Sequence, residues 1–579
     1  MNEYWKEECL PEGTVAIAGG GPVGLILARV LATYGVNSVL FERNPSTTTW
    51  PKMDLTNARS MELFHRIGLA EDLRRQGVPS DIDQDVLMST GLGRDHLLAK
   101  WDLPSVDKFR QRVQQWNDGT QPHEPWQRIS QAIFEKWLKC ICDKDPLIDL
   151  RYGWKVESVQ EDSDRVTTTV VEPGGTKRVF TSQYLVGCDG GSSRVRKSLG
   201  ISIDGGPIPV RAILVHFKSR DLRRLHKHGR FWHIFFTDPS GGLGGAIIAQ
   251  DEVDTWTVHL FVPIDSTEDP DLLTSEEVVY RVMGGMYDPY LITIDEILVR
   301  STWRPVIAVT DDWSGPHHRA FLAGDSAHQN IPTGGYGMNM GIADAFDLGW
   351  KLAAVINGSG GTSLLESYQI ERKPVASRNV AHSGVHFQVH AGLKDILASG
   401  NADPRRVDCD TMEAHQLRSQ IQQYYQQHDG ENKDFGIEMG YRYRSRIVVP
   451  DDIDGIEPDW TPSAYTPTTW PGSRPPHLFL SDGSAIFDHF GMDWTLLCFG
   501  DSDCGQELLV QEAKNMTIPL RTVHLAHERL AKKLYERSLV LIRPDQHVAW
   551  RSDELKDLEA ARRVLMTVTG RFDCVDAAV

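Results

Sequence analysis

The stretch that most narrows the fold is "TVAIAGGGPVGLILARVLATYGVNSVLFER", residues 14–43. An apolar, β-branched run enters a glycine turn, a helix-period segment follows, and a second apolar run ends at Glu42 and Arg43. This is a strand–helix–strand unit, so the chain opens by building a parallel sheet covered by helices. Gly19, Gly21 and Gly24 form G-x-G-x-x-G. The first glycine permits the tight turn, the second lets the backbone approach a pyrophosphate, and the third lets helix and strand pack closely. The helix N-terminus then turns unpaired N–H groups and its positive dipole end toward the phosphates. Glu42 closes the second strand, where a carboxylate binds ribose hydroxyls and repels a 2′-phosphate. The unit predicts a dinucleotide site and leaves open whether the ligand is FAD or NAD.

A chain of 579 residues has room for two to four domains. Its formal net charge of −18 argues against nucleic acid or an anionic membrane as main partner. No apolar run reaches the length of a membrane span. The start, "MNEYWKEECL", is acidic and has no signal-peptide core, so a cytoplasmic location is expected. The eight cysteines are scattered without C-x-x-C or a zinc-type spacing, which fits a reducing compartment and predicts no metal site.

After the opening unit, helical periodicity is read over about 52–77 and 127–142, and "VTTTVVEPGGTKRVF" reads as a hairpin. Residues 208–305 alternate like strands. A helix is read over 364–395, and "QLRSQIQQYYQQ" as a solvated helix. The proline-rich stretch 457–477 reads as an extended connector. Beyond it, strand and helix patterns alternate through a small α/β module. The expected class is α/β. A discontinuous Rossmann-like domain takes 1–80, 120–200 and 310–380, and a substrate-binding sheet domain takes 81–119 and 201–309. A helical connector takes 381–456, and a thioredoxin-like module without C-x-x-C takes 465–579. Cys498 and Cys504 are expected to be redox-inert, and the module to serve packing or dimerisation.

Two further elements resemble ligand-facing turns. In "YLVGCDGGSSRVRKSLG", residues 184–200, a strand ends at Asp189 and Gly190 before a short basic helix. In "AFLAGDSAHQNIPTGGYGMNMGIADAFDLGWKL", a strand ends at Asp325, Pro332 stiffens the next turn, and glycines lead into a helix starting near Met338 and Asn339. Two cradles 300 residues apart are best explained by one long ligand. ADP lies at the first, a polyol chain meets Asp325, and the anionic edge of a ring lies against the second helix. FAD has those parts in that order.

G-x-G-x-x-G, then Asp-Gly, then Gly-Asp is the order of motifs in class A flavin monooxygenases, the family of p-hydroxybenzoate hydroxylase and phenol hydroxylase, and the chain resembles that family over nearly its whole length. "TNARSMELFHRIGL" and "LIRPDQHVAWR" share the resemblance, the second with the C-terminal module of the larger phenol hydroxylases. It is weakest over 200–305 and 385–460. The resemblance implies that Gly19, Gly21, Gly24, Glu42, Arg43, Arg59 and Gln131 bind FAD, and that Asp189 and Gly190 serve FAD and passing NAD(P)H. It further implies that Asp325 holds the ribityl chain and that Pro332, Met338 and Asn339 line the isoalloxazine. His328 is expected to be structural. The implied reaction is hydroxylation of a phenol by O2, with NAD(P)H consumed and a flavin C4a-hydroperoxide as oxygen donor. A Baeyer–Villiger or epoxidising relative acting on a polyketide-like aromatic is the nearest rival, and a non-catalytic flavin-binding scaffold a remote one.

Asp54 has two readings. It can be the N-cap of the helix that follows. Alternatively, it is the substrate-side aspartate that phenol hydroxylase carries five residues before its helix arginine, accepting the phenol proton directly or through water.

Overall fold

The computed structural model describes residues 6–267, 269–399, 402–451, 455–500 and 504–572. Its centre is a five-stranded parallel sheet in the order Ala320–Leu322, Tyr184–Gly187, Val15–Ala18, Ser38–Glu42, Ile148–Tyr152. The inner strands are buried along their whole length, which is why they read as continuous apolar runs. Helices Pro22–Thr33 and Tyr336–Ile356 lie side by side on this sheet. A Cβ on Gly341 would lie 2.5 Å from Val23, and one on Gly349 2.6 Å from Val30, so glycine sets their close approach.

A seven-stranded sheet forms the second layer, in the order Glu296–Trp303, Val210–Lys218, Thr255–Pro263, Leu243–Ala249, His233–Thr237, Val86–Ser89, Ala99–Trp101. All its pairs are antiparallel except His233–Thr237 with Val86–Ser89. One face buries Ile213, Val215, Ile234, Phe236 and Val258 with Val278, Val279 and Val282 of helix Ser275–Gly284. The C-terminal module has the thioredoxin-like order Leu520–His524, Trp494–Cys498, Leu539–Ile542, Val548–Ser552. Its first pair is parallel and the rest antiparallel, with helices Gln506–Asn515 and Leu558–Val568 against it. The parallel sheet, the seven-stranded sheet and the C-terminal module together bear out the α/β class read from the sequence.

Several local readings change. The segment read as one helix over 52–77 is a short strand, Leu55–Thr56, then helices Ala58–Arg66 and Ala70–Gln76. The helix read from 127 begins at Gln131, because Gln127–Arg128 pairs with Leu55–Thr56 instead. Helix Ser363–Leu397 runs unbroken across the division expected after residue 380. Helix Met412–Gln427 is amphipathic rather than merely solvated: Ala414, Leu417, Ile421 and Tyr425 are buried, and the Tyr425 carbonyl accepts from Trp101 Nε1. The connector is no free linker, since residues 468–469 and 471–478 are buried. Burial pushes the Cys498 thiol up to about 12, against reactivity. Cys504 stands immediately before the Gly505 cap of a helix, closer to a helix start than its sequence suggests.

Candidate active site

The three motifs end up at the carboxyl ends of three neighbouring parallel strands. Gly19 follows Ala18, Asp189 follows Gly187 by two residues, and Asp325 follows Leu322 by three. That edge is where open α/β sheets bind ligands. Gly19 has φ +109°, and a Cβ there would collide with the Cys188 carbonyl and lie 2.9 Å from Asp189 Cα. A Cβ on Gly24 would strike the Gly19 carbonyl, whereas Gly21 faces open space. Gly21 caps helix Pro22–Thr33 without a side-chain hydrogen bond, so its first N–H groups keep no internal acceptor. Helix Tyr336–Ile356 begins the same way, from Gly335 in the left-handed region.

Glu42 ends its strand with Oε2 accepting from the Gly20 N–H (2.7 Å) and Oε1 from Asn44. Arg43 is exposed beside it. Gln131 opens its helix and donates to Glu135, which accepts from the Thr48 N–H. Asp189 Oδ2 accepts from the N–H groups of Arg194 and Val195, while its buried Oδ1 has no partner among the described residues. Gly190 has φ +79° with open space in front. Asp325 reaches solvent on one side and is crowded on the others. That crowding pushes its carboxyl above its usual range, against the pull of His328 and Lys52. The orphaned Asp189 oxygen, the uncapped helix starts and the open ground before Gly21 fit an anionic, hydroxyl-bearing dinucleotide. Pro332 is exposed and Met338 half-buried at the rim.

Three roles differ from the sequence reading. Asn339 is turned inward: its Oδ1 accepts from the Asn57 N–H, and its Nδ2 donates to the carbonyls of Leu55 and Gly335. It braces the turn rather than lining a ring. Arg59 is committed within the protein: its buried guanidinium donates to Glu62, to Gln546 Oε1 and to the Asp545 carbonyl of the C-terminal module. Asp54 is not an N-cap. Asn57 fills that position, its side chain accepting from the Ser60 N–H at 2.9 Å.

Asp54 instead stands on the two-stranded ribbon of Leu55–Thr56 and Gln127–Arg128, where the Ile129 N–H donates to its carbonyl. Its Oδ2 accepts from Trp232 Nε1 (2.6 Å) and meets His233 Nε2 at 3.1 Å, so the seven-stranded sheet reaches it directly. Burial raises the carboxyl pKa, but His233, the Arg128 charge and the Trp232 bond together hold it below the usual range. Oδ1 keeps no protein partner among the described residues.

Around Asp54 the sheet presents its other face. His233, Phe235, His259, Phe261 and Trp303 are each half-buried, whereas Ile234, Phe236, Val258, Leu260 and Val262, which alternate with the first four, are packed in the core. Their rings form two neighbouring groups: His233 with Phe235 at 5.7 Å, and His259 with Phe261 at 6.2 Å and with Trp303 at 6.5 Å. Burial and neighbouring His233 push His259 down to about 4, so it is neutral. An aromatic wall of this kind suits a flat, largely apolar ligand. The strand-like alternation read over 208–305 did not reveal that these aromatic residues gather beside Asp54.

His328 is wholly buried, its Nε2 2.7 Å from Asp344, which also binds Arg372, so its role is structural. Two His/His/Asp groups also come together: His65, His123 and Asp488, and His382, His386 and Asp434. Both ring nitrogens of His65 meet carboxylates, whose hydrogen bonds raise its pKa to about 9, and His386 Nε2 meets Tyr336 Oη at 2.8 Å. These contacts account for both groups as salt bridges and ties.

Comparison with known proteins agrees with this geometry. Residues 12–383 match the FAD binding domain family, and 468–571 the aromatic-ring hydroxylase C-terminal family. The chain belongs to the FAD-dependent aromatic-ring hydroxylases of the class A monooxygenase type. It is 47% identical over 578 residues to the FAD-dependent monooxygenase apdD of Emericella nidulans, covering 98% of this chain and 91% of that one. Among solved structures, the rebeccamycin biosynthetic enzyme RebC with reduced flavin has 31% identity and a TM-score of 0.81, with 98% and 100% of the two chains covered. The flavin-dependent monooxygenase PieE, in complex with FAD and substrate, has 26% identity and a TM-score of 0.84, with the same coverage. Among the described residues, no helix is long and apolar enough to cross a membrane.

Proposed function

We propose that the protein is an NAD(P)H-consuming monooxygenase that hydroxylates a phenolic, polyketide-type aromatic. The observation that carries this reading is Asp54 held by Trp232 and His233 beside a half-buried aromatic wall. Names among the relatives point the same way: a putative polyketide hydroxylase of Streptomyces halstedii is 27% identical over 592 residues. FAD would be held by Gly19, Gly21, Gly24, Glu42, Asp189 and Asp325, with Arg43 and Gln131 at its edge. When bound, it supplies electron transfer from NAD(P)H and activation of O2.

The chain's own residues then act on the phenol. The aromatic wall orients the ring and excludes water. Asp54 Oδ1 accepts the hydroxyl hydrogen, which raises electron density on the ring. Although burial raises the Asp54 carboxyl, His233, Arg128 and Trp232 hold it below its usual range, so it is ionised and polarises the O–H. Fixing Oδ2 on two donors keeps Oδ1 in one orientation, which is positioning rather than binding strength.

The test is incubation of the FAD-loaded protein with NADH or NADPH and a panel of simple and polyketide phenols. Substrate-stimulated oxidation of the nicotinamide, with a product carrying one added oxygen and an intact ring, is expected. A ring-expanded or epoxide product would move the assignment to the Baeyer–Villiger or epoxidising reading. No stimulation by any aromatic would leave only flavin binding.

A further inference from the structure

Helix Ser363–Leu397 carries Ser383, His386 and His390, spaced three and four residues apart and so on one face. Each meets a different part of the site. The Ser383 carbonyl accepts from Thr333 Oγ1 at 2.6 Å. His386 Nε2 meets Tyr336 Oη at 2.8 Å. His390 Nε2 meets Glu431 Oε2 at 2.7 Å, and the other oxygen of Glu431 accepts from the Gly334 N–H at 3.3 Å. Residues 333–336 are the glycine turn that starts the second cradle helix, with Gly334 at φ +83° and Gly335 at +63°.

At its other side His390 lies against the substrate wall. Its ring centroid is 4.2 Å from that of Phe235, with the planes 36° apart, and Phe235 neighbours His233, which holds Asp54. Both Glu431 and His390 are buried. A buried carboxylate that bridges a histidine and a backbone N–H cannot be released without leaving unpaired polar groups. The contacts are continuous from Phe235 through His390 and Glu431 to Gly334.

We propose that Glu431 and His390 are positioning residues that make the geometry of the 333–336 turn depend on whether an aromatic molecule occupies the wall at Phe235. A ligand that shifts Phe235 shifts His390, and thereby the grip of Glu431 on the Gly334 N–H. This rests on the substrate reading above only for the nature of the occupant. The groups facing Glu431 are His390, His386 and His233, and no cation among them is needed for the mechanical link.

The test is amide hydrogen exchange over residues 330–337 of the FAD-loaded protein, with and without a polyketide phenol, together with the melting temperature. Without ligand, Glu431→Ala should speed exchange at Gly334 about tenfold or more, as expected for loss of a charge-assisted bond. Unchanged exchange in a folded variant would overturn the proposal without touching the hydroxylase reading. With ligand, the native protein should show altered exchange in the turn. His390→Gln should bind the phenol but lose that response, and Phe235→Leu should weaken it. A response that persists in His390→Gln would also overturn the proposal, since a merely structural role lowers the melting temperature without severing the link. If Glu431→Ala does not fold, Glu431→Gln and His390→Gln carry the same comparison. If no phenol binds the native protein, the hydroxylase reading fails and the coupling fails with it, while the ligand-free arm still decides whether Glu431 holds the turn.

Discussion

Asp54 and Glu62 lie eight residues apart, both with carboxyls held below the ordinary range, yet they do opposite things. Glu62 is fully buried and every lone pair is used. Arg474 reaches it from the connector through Nε at 2.9 Å and through a second guanidinium nitrogen, Arg59 donates at 2.9 Å, and the His123 N–H at 2.7 Å. Asp54 keeps 19% of its side chain exposed and commits one oxygen only. A saturated buried carboxylate is architecture: here it fastens the C-terminal module to the cofactor domain. An unsaturated one at a cleft has capacity left for a ligand. A lowered pKa alone would not have told them apart.

The same contrast holds more widely. Under the module, Arg543 binds Asp347, Glu371 and Asp545, and Lys351 binds Asp347 and Glu371, all out of contact with water. Such networks specify one docking geometry more than they add stability, but removing one member leaves a bare buried charge.

The largest effect expected is therefore at Glu62. Glu62→Ala strands two guanidiniums and should cost about 3–5 kcal/mol, read as a fall in melting temperature and as proteolysis at the connector. In the native protein the Glu62 carboxyl lies at about 2 against an ordinary 4.5. Its contribution is thus complete above about pH 4.5 and is lost as pH falls toward 2; the Ala variant should lack that part of the acid transition. A variant as stable as the native protein would erase the distinction between the two acids.

Asp54→Asn comes next and should move chemistry instead. The isosteric amide still accepts from Trp232, so the melting temperature should change little. Hydroxylated product per NAD(P)H consumed should fall about a hundredfold or more, with hydrogen peroxide released instead. Full coupling with a lower melting point would make Asp54 a second structural acid. Asp325→Ala should weaken FAD binding by roughly 10- to 100-fold, through loss of a charge-assisted hydrogen bond worth roughly 1.5–3 kcal/mol, measured by flavin release. The smallest effect belongs to Asn57→Ala, which removes the true N-cap: about 0.5–2 kcal/mol of stability, with turnover still coupled. Should Asn57→Ala uncouple turnover while Asp54→Asn does not, the two roles have been assigned the wrong way round.

How much was legible follows from the range of the interactions. The glycine cradle, Glu42, the Asp-Gly turn and the Gly-Asp turn are local patterns, each a strand end followed by a helix start, and residues a few positions apart decide them. The resemblance built on those motifs carried the family. What failed was set by distant partners. Arg59 looked like a helix arginine near a cofactor, but besides Glu62 its acceptors lie 486 and 487 residues away. The connector looked unstructured because its prolines forbid helix, and nothing local indicates that Arg474 inserts beneath a helix. The histidines at 382, 386 and 390 lie on one face of the helix read over 364–395, but nothing local indicates that Glu431 and Asp434 stand opposite it.

By itself, then, the sequence determined the parallel sheet, the cofactor cradle and the C-terminal α/β module, because backbone periodicity and glycine placement act within single strand–helix units. Only the tertiary structure decided which of the acids after the cradle is free to act. That depends on how many donors the rest of the chain brings to each carboxylate: four bonds, three from the side chains of Arg474 and Arg59 and one from the His123 N–H, saturate Glu62, whereas among the described residues the side-chain donors at Asp54 reach one oxygen only.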